Sequence, residues 1–202
     1  MESGLWAARL DRPLTEGEHA ALMAELPAHR RERLLRVRRT ERHREPLCAW
    51  LLLRQALRER LGWRELPPLA WTDRGKPWFP NYPTVCFSLS HTAGVVLVGL
   101  AQQPIGVDVE RIRPVGPRLL ERLGEGELEA LFSAWVRREA RFKCGTIPSL
   151  LGAEPALRPG EQYGPAQTFP DYVAGAAVLG GPLPGAPRLL SLEELLKLEI
   201  RS

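Results

Sequence analysis

Two acidic residues set two apart in an apolar stretch are the strongest chemical signal in this chain. They lie in P-I-G-V-D-V-E, residues 104–110, as Asp108 and Glu110. In an extended segment alternate side chains share a face, so the two carboxylates stand about 7 Å apart along one side of a strand. Like charges in apolar surroundings resist burial unless a cation joins them. Magnesium suits such a pair, because it takes one or two carboxylates together with water and phosphate oxygens. The same residues also fit a strand end where the acids meet water or the adjoining Arg111 and Arg113.

A second signal is W-V-R-R-E-A-R-F-K at 135–143. At 3.6 residues per turn Leu128, Phe132, Trp135 and Phe142 form one apolar stripe, with Glu139 inside it and Lys143 at its edge. A glutamate on a core-facing stripe is a local inconsistency of the kind that marks sites. An ordinary surface Glu–Lys pair at i,i+4, worth about 0.2–0.5 kcal/mol, is the plainer alternative. A third signal joins G-K-P at 75–77 with F-S-L-S-H-T at 87–92. Lys76, Ser90 and His91 are donors able to hold phosphate oxygens. A Ser–His hydrolase is disfavoured, since neighbours on a strand face opposite ways and no G-x-S-x-G elbow is present.

The elements that must carry these residues are legible in outline. Leu5–Leu10 reads as a short strand. Thr15 caps a helix that has Glu16 and Glu18 in its first turn, runs through Glu25 and stops at Pro27. Residues 31–42 form a basic connection, helical or looped. A long helix spans Pro46–Leu61 and ends at Gly62, apolar around most of its circumference and therefore deep in a half-domain. Thr72–Pro83 is turn-rich. Strands are predicted at Val85–Leu89, Gly94–Leu100 and Ile105–Val109, with Ser90-His91-Thr92 between the first two. A helical stretch from Pro117 to Leu123 is broken at Gly124 and Gly126, and a second helix covers Glu127–Lys143. After a glycine- and proline-rich region come a strand at Tyr172–Leu179 and a short helix at Ser191–Leu198. Helix then strands, twice over, predicts two α+β halves joined near residues 103–105.

Composition narrows the classes further. The 202 residues are 44% hydrophobic, enough for one large or two small domains with an ordinary core. Net charge is only +4, but Arg30–Arg64 holds twelve arginines against four glutamates. Such a stretch suits a polyanion, whether nucleic acid, a phosphorylated small molecule or an acidic protein surface, or else a solvated helix face. Cys48, Cys86 and Cys144 are odd in number and lack C-x-x-C, which argues against a disulfide framework or zinc knuckle and for a reducing cytoplasm. The N-terminal residues lack the order of a signal peptide, and no apolar run approaches the roughly 20 residues of a membrane span.

Taken in order, G-K-P, F-S-L-S-H-T, Q-P-I-G-V-D-V-E (103–110) and W-V-R-R-E-A-R-F-K resemble the 4'-phosphopantetheinyl transferases of the larger, surfactin-synthetase-activating type. D-R-P-L-T-E-G-E (11–18) and H-R-E-P-L (43–47) add to the likeness, which covers roughly residues 5 to 145. A fainter echo lies in Tyr172–Val178 and in the closing S-L-E-E-L-L. The resemblance implies an α+β fold of two pseudo-symmetric halves, 1–103 and 104–202, each a small antiparallel sheet packed with a long helix. Coenzyme A would lie in the cleft between them. It implies transfer of the 4'-phosphopantetheine arm to a serine of an apo acyl or peptidyl carrier protein, with release of 3',5'-ADP.

Matched by position, Asp108, Glu110 and Glu139 are the implied ligands of Mg2+, with Mn2+ a second choice. Lys143 steadies phosphates, and Arg44, Lys76, Ser90 and His91 contact coenzyme A. Asp108, Glu139 and Lys143 carry catalysis, the base being Glu139 or a water on the ion. The chain is implied to act as a cytoplasmic monomer, with neither membrane nor nucleic acid as partner. Departures are visible: Arg138 stands where W-x-x-K-E-A has lysine, His29 and Glu32 occupy basic positions of the family, and the segment after Lys143 is short and proline-rich. The competing reading is a non-catalytic nucleic-acid- or nucleotide-binding module built on Arg30–Arg64. It is weakened by the lack of aromatics among the arginines of 30–44. A relative that keeps coenzyme A but has lost transfer is disfavoured by the retained acids.

Overall fold

The structure, a computed structural model, describes residues 2–116 and 127–200. The helical stretch expected from Pro117 to Leu123 lies outside the described residues. Strand β1 (Gly4–Arg9) is buried along most of its length, which makes it an inner strand. Helix α1 (Glu16–Glu25) starts where expected, because Thr15 and Glu18 form a reciprocal capping box. It is followed by α2 (Ala28–Leu35) and a single 3-10 turn at Thr40–His43. The long helix α3 (Arg44–Leu61) ends on Gly62 in the left-handed region at φ 69°, a conformation that costs glycine nothing.

A two-stranded ribbon, β2 (Ala70–Trp71) with β3 (Pro77–Trp78), lies in the turn-rich stretch. Next come β4 (Cys86–Thr92) and β5 (Val95–Ala101), an antiparallel hairpin turning at Gly94. Ser90, His91 and Thr92 therefore lie within β4, not between strands. Strand β6 (Ile105–Arg111), helix α4 (Leu128–Cys144), β7 (Glu161–Pro165) and β8 (Tyr172–Leu179) follow. The last described elements are β9 (Arg188–Ser191) and α5 (Leu192–Ile200).

The strands form a four-stranded sheet ordered β4-β5-β1-β9 and a three-stranded sheet ordered β6-β8-β7, besides the small ribbon. Alternation of side chains makes the layers. One face of the larger sheet packs Trp6, Val96, Val98 and Leu100 against α3. The other sets Leu5, Ala7, Val95 and Leu97 against Ile105, Val107 and Val109 of β6 and Ala174, Ala176 and Val178 of β8. The far side of the smaller sheet carries α4, giving the order α3, sheet, sheet, α4.

The α+β class holds, with a long helix on each sheet. The sheets do not, however, divide the chain at residue 103. β9 pairs with β1 in the larger sheet, and parallel to it, so the final segment returns to the first half. β7 and β9 were absent from the sequence expectation; each is short and bounded by glycine or proline, which hides its periodicity.

Helix α4 corrects the stripe read from the sequence. The buried line is Phe132, Val136, Ala140 and Cys144, an i,i+4 series one position round from Trp135, Glu139 and Phe142. Close approach explains the choice. A Cβ on Gly106 of β6 would lie 1.9 Å from the carbonyl oxygen of Ala140 and 2.3 Å from the amide nitrogen of Cys144. Only small residues fit where helix and strand cross this tightly. Glu139 and Lys143, half-buried, are left on the flank of the stripe that faces the cleft.

Candidate functional site

A cleft of about 870 Å³ opens between α2, α3, the β2–β3 ribbon, β4 and the C-terminal half of α4, a volume ordinary for a site that encloses a cofactor-sized ligand. Lys76, Ser88, His91, Glu139 and Lys143 line it. Asp108 lies beside the cleft wall, on the face of β6 turned towards α4, and is 4% exposed.

The two oxygens of Asp108 differ. Oδ1 accepts a 2.6 Å hydrogen bond from the Ser90 hydroxyl and a 2.6 Å charged bond from the Lys143 ammonium. Oδ2 is buried and meets no donor. Lys143 also donates to Ser90 Oγ at 3.2 Å and lies 3.9 Å from Glu139 Oε2. Its ammonium thus bridges the strand acid and the helix acid. Glu110, two residues along, turns to Thr92 at 3.2 Å and Arg113 at 3.5 Å. Burial first, and the neighbouring Asp108 second, push the Glu110 carboxyl above its ordinary range.

The three acids are therefore not gathered round one point. Among the described residues no group of three His, Cys, Asp or Glu side chains is close enough to form a ready metal shell. Glu110 takes the strand-end position beside an arginine that its sequence context allowed.

Ser90 is buried and is not among the cleft-lining residues. Its hydroxyl donates to Asp108 and accepts from the Val109 amide at 3.3 Å, while Ser88 accepts from the Val107 amide at 3.0 Å. Two serines of β4 thereby satisfy outward amides of β6, so the edges of the two sheets meet through side chains. Ser88 was missed from the sequence, although F-S-L-S places it on the same face as Ser90.

Lys76 is drawn in differently from a free phosphate ligand. Its ammonium donates to the carbonyls of Ile105 at 2.8 Å and Lys143 at 2.7 Å, tying the ribbon to the start of β6 and the end of α4. Burial pulls its pKa down. His91 stands at the cleft mouth, its pKa lowered by desolvation in the cleft and then by the Lys143 charge. Arg44 is not among the cleft-lining residues. Its guanidinium is bound to the Arg12 carbonyl and the Glu45 carboxylate, whose Oε1 also receives the Gly94 amide.

Arg30, one arginine of the basic stretch, reaches the cleft. It lines the cleft with its guanidinium carbon 5.7 Å from the Trp50 ring and 5.8 Å from Trp71. Its Nε and the Trp71 Nε1 are both buried without an acceptor. Desolvation, then the charge of Arg33, lowers the Arg30 pKa. A donor-rich, acceptor-poor wall is what an anionic ligand would complete. Across the cleft, Arg74 lies 5.5 Å over the Phe142 ring.

Behind the site a buried charge cluster fixes α4 to the segment that follows it. Arg141, 2% exposed, donates to Glu161 at 2.6 Å, to Glu154 at 2.7 Å and to the carbonyls of Pro155 and Ala156. Thr146 adds a 2.6 Å bond to Glu161. Burial alone would raise the Glu161 pKa, but Arg141 and Thr146 outweigh it and hold the carboxyl below its ordinary value.

Comparison with known proteins agrees with the motif order. The chain is 30% identical over 114 residues to a 4'-phosphopantetheinyl transferase of Bacillus subtilis, covering 54% of this chain and 50% of that protein. It is 29% identical over 119 residues to the transferase ffp of Bacillus subtilis, 58% of this chain and 53% of the relative. To the transferase Sfp of Bacillus subtilis strain 168 it is 25% identical over 119 residues, again 58% and 53%. The chain thus spans about half the length of the curated relatives it matches. No family model matches it. The likeness to Sfp-like phosphopantetheinyl transferases seen in the motifs stands on these relatives.

Proposed function

We propose, from the likeness to Sfp-like 4'-phosphopantetheinyl transferases, that this chain moves the phosphopantetheine arm of coenzyme A onto a serine of an apo carrier protein. A bond forms between the serine oxygen and the β-phosphorus. The bond from that phosphorus to the bridging oxygen breaks, and 3',5'-ADP leaves with the electron pair. The serine proton passes to a base. The observation that carries the reading is Asp108: one oxygen is fixed by Ser90 and Lys143, while the other is buried without a donor beside a cleft of cofactor size.

A divalent cation fits the residues present. Asp108 Oδ2 lacks a partner and Glu110 is pushed towards its protonated form, and a cation would relieve both conditions. Asp108, Glu110 and Glu139, all hard oxygen donors suited to Mg2+ and also to Mn2+, would hold it once Glu110 turns from Arg113 and the Lys143 ammonium leaves its place between Asp108 and Glu139. When bound, such an ion neutralises a diphosphate and orients it. Glu139, half-buried on the cleft wall, takes the serine proton. Lys143 steadies charge on the leaving phosphate. His91, held towards its neutral form, donates at the cleft mouth, while Arg30 and Arg33 face the nucleotide phosphates. Lys76 keeps one N–H beyond its two carbonyl bonds. Arg44, bound to Glu45, has no part in this set. We place the reaction in the cytoplasm and in a single chain; the three cysteines are free, and no described helix is long and apolar enough to cross a membrane.

The test is incubation with coenzyme A, Mg2+ and a panel of apo carrier proteins, followed by mass spectrometry for the gained arm. Asp108→Ala should lower the transfer rate by roughly 10³-fold or more, the scale of losing a main electrostatic stabiliser, with an unchanged circular dichroism spectrum. Coenzyme A binding with no carrier ever modified, or full activity in Asp108→Ala, would end the assignment.

A further inference from the structure

The corner formed by α2 and the 3-10 turn carries more positive charge than the cleft uses. Between residues 33 and 42 stand five arginines and one glutamate. Arg33, Arg36, Arg38, Arg39 and Arg42 are all exposed, and none of the five guanidiniums has a hydrogen-bond or ion-pair partner among the described residues. Elsewhere Arg12, Arg44, Arg137, Arg141 and Arg188 each meet a carboxylate. Five unneutralised cations on so short a segment repel one another, so the corner gains by meeting an anionic surface.

Position and shape narrow the partner. Arg33 and Val37 line the cleft, whereas Arg36, Arg38, Arg39 and Arg42 do not, so this corner adjoins the cleft and its outer charges stand outside the lining. Leu35 lies among them, 63% exposed. No aromatic residue occurs between 33 and 42, so the corner offers no ring on which bases could stack. An aliphatic spot ringed by guanidiniums complements a protein face with carboxylates around an apolar residue.

The geometry points to this corner as the docking surface for the protein substrate, recognised by an acidic face, on the N-terminal side of the cleft. The assignment rests on the transfer reading for what is docked, but not for the docking itself. Rim charges act mainly on encounter and on salt dependence.

The experiment uses the whole chain and its triple variant Arg36→Gln, Arg38→Gln, Arg39→Gln, with melting temperatures compared first. The probes are a fluorescently labelled, acidic apo acyl carrier protein and, separately, a single-stranded DNA oligonucleotide. Expected is carrier binding that weakens about tenfold in the triple variant at low salt and weakens in the parent as salt rises. KM for the carrier rises by a similar factor, while kcat and KM for coenzyme A stay unchanged. Leu35→Ser raises KM for the carrier without altering salt dependence. Carrier binding and KM indifferent to the triple variant would overturn the assignment. So would a rise in KM for coenzyme A instead, or tight binding of DNA with none of carrier. Arginine-dependent carrier binding without any transferred arm would keep the docking surface and end the transfer reading. Transfer with an unmoved KM for the carrier would do the reverse.

Discussion

Asp108 shows how one side chain can be both anchored and available. Its anchored oxygen depends on Ser90, which acts through the acid and touches no reacting atom in the proposed chemistry. Ser90→Ala should therefore cost roughly 10–100-fold in transfer rate, the range typical of groups that orient a ligand residue, and should weaken Mn2+ binding followed by paramagnetic resonance. An unchanged Mn2+ affinity would remove Ser90 from that role. The apposition of Asp108 and Glu110 was readable from their i,i+2 spacing, because strand alternation is nearly invariant. The turn of Glu110 towards Thr92 and Arg113 was not, since side-chain torsions at a strand end are set by neighbours distant in sequence. Lys76 is a similar case. Its carbonyl bonds to Ile105 and Lys143 depend on the packing of three elements, which no local motif encodes.

At the scale of elements, α4 is held from two sides, and each hold makes a prediction. Gly106 admits the helix backbone, so Gly106→Ala must push α4 off β6. Overpacking of this kind costs about 1–3 kcal/mol or more, visible as a lower denaturation midpoint. On the other side, Arg141 and Glu161 form a buried pair. Arg141→Met leaves Glu161 unmatched and should cost about 3–5 kcal/mol.

The same pair has a pH signature. Because Glu161 is held below its ordinary value, the stability it contributes is present above the unfolded carboxyl pKa and is lost as pH falls through the lower folded one. Acid titration of the melting temperature should accordingly fall less steeply for Glu161→Gln than for the parent below about pH 4.5. The helices α1, α3 and α4 were legible because caps, terminating glycines and 3.6-residue periodicity are local. The identity of the buried stripe on α4 was not. Trp135 and Phe142 are larger and more apolar than Ala140 and Cys144, and only the crossing at Gly106 selects the smaller pair.

For the whole molecule, the two sheets share an apolar interface and a seam of serine hydroxyls. Replacing Ser88 and Ser90 together by alanine would strand the amides of Val107 and Val109. Each lost bond to a buried amide costs about 1–3 kcal/mol, and hydrogen exchange at those two amides should speed up selectively. Equal exchange in parent and variant would show that the seam bears no load. The sequence suggested two halves meeting near residue 103, and the passage from β5 to β6 lies there. What it concealed was the return of β9 to β1, a pairing separated by most of the chain.

That return has a consequence for how the protein is made. The outer edge of β1, complete once Arg9 is synthesised, finds its partner only when Arg188–Ser191 emerges from the ribosome. While the residues between these two strands are being synthesised, that edge of β1 therefore presents an open rank of backbone donors and acceptors, the kind of edge that recruits strangers. The smaller sheet, with both its outer strands already made, closes first.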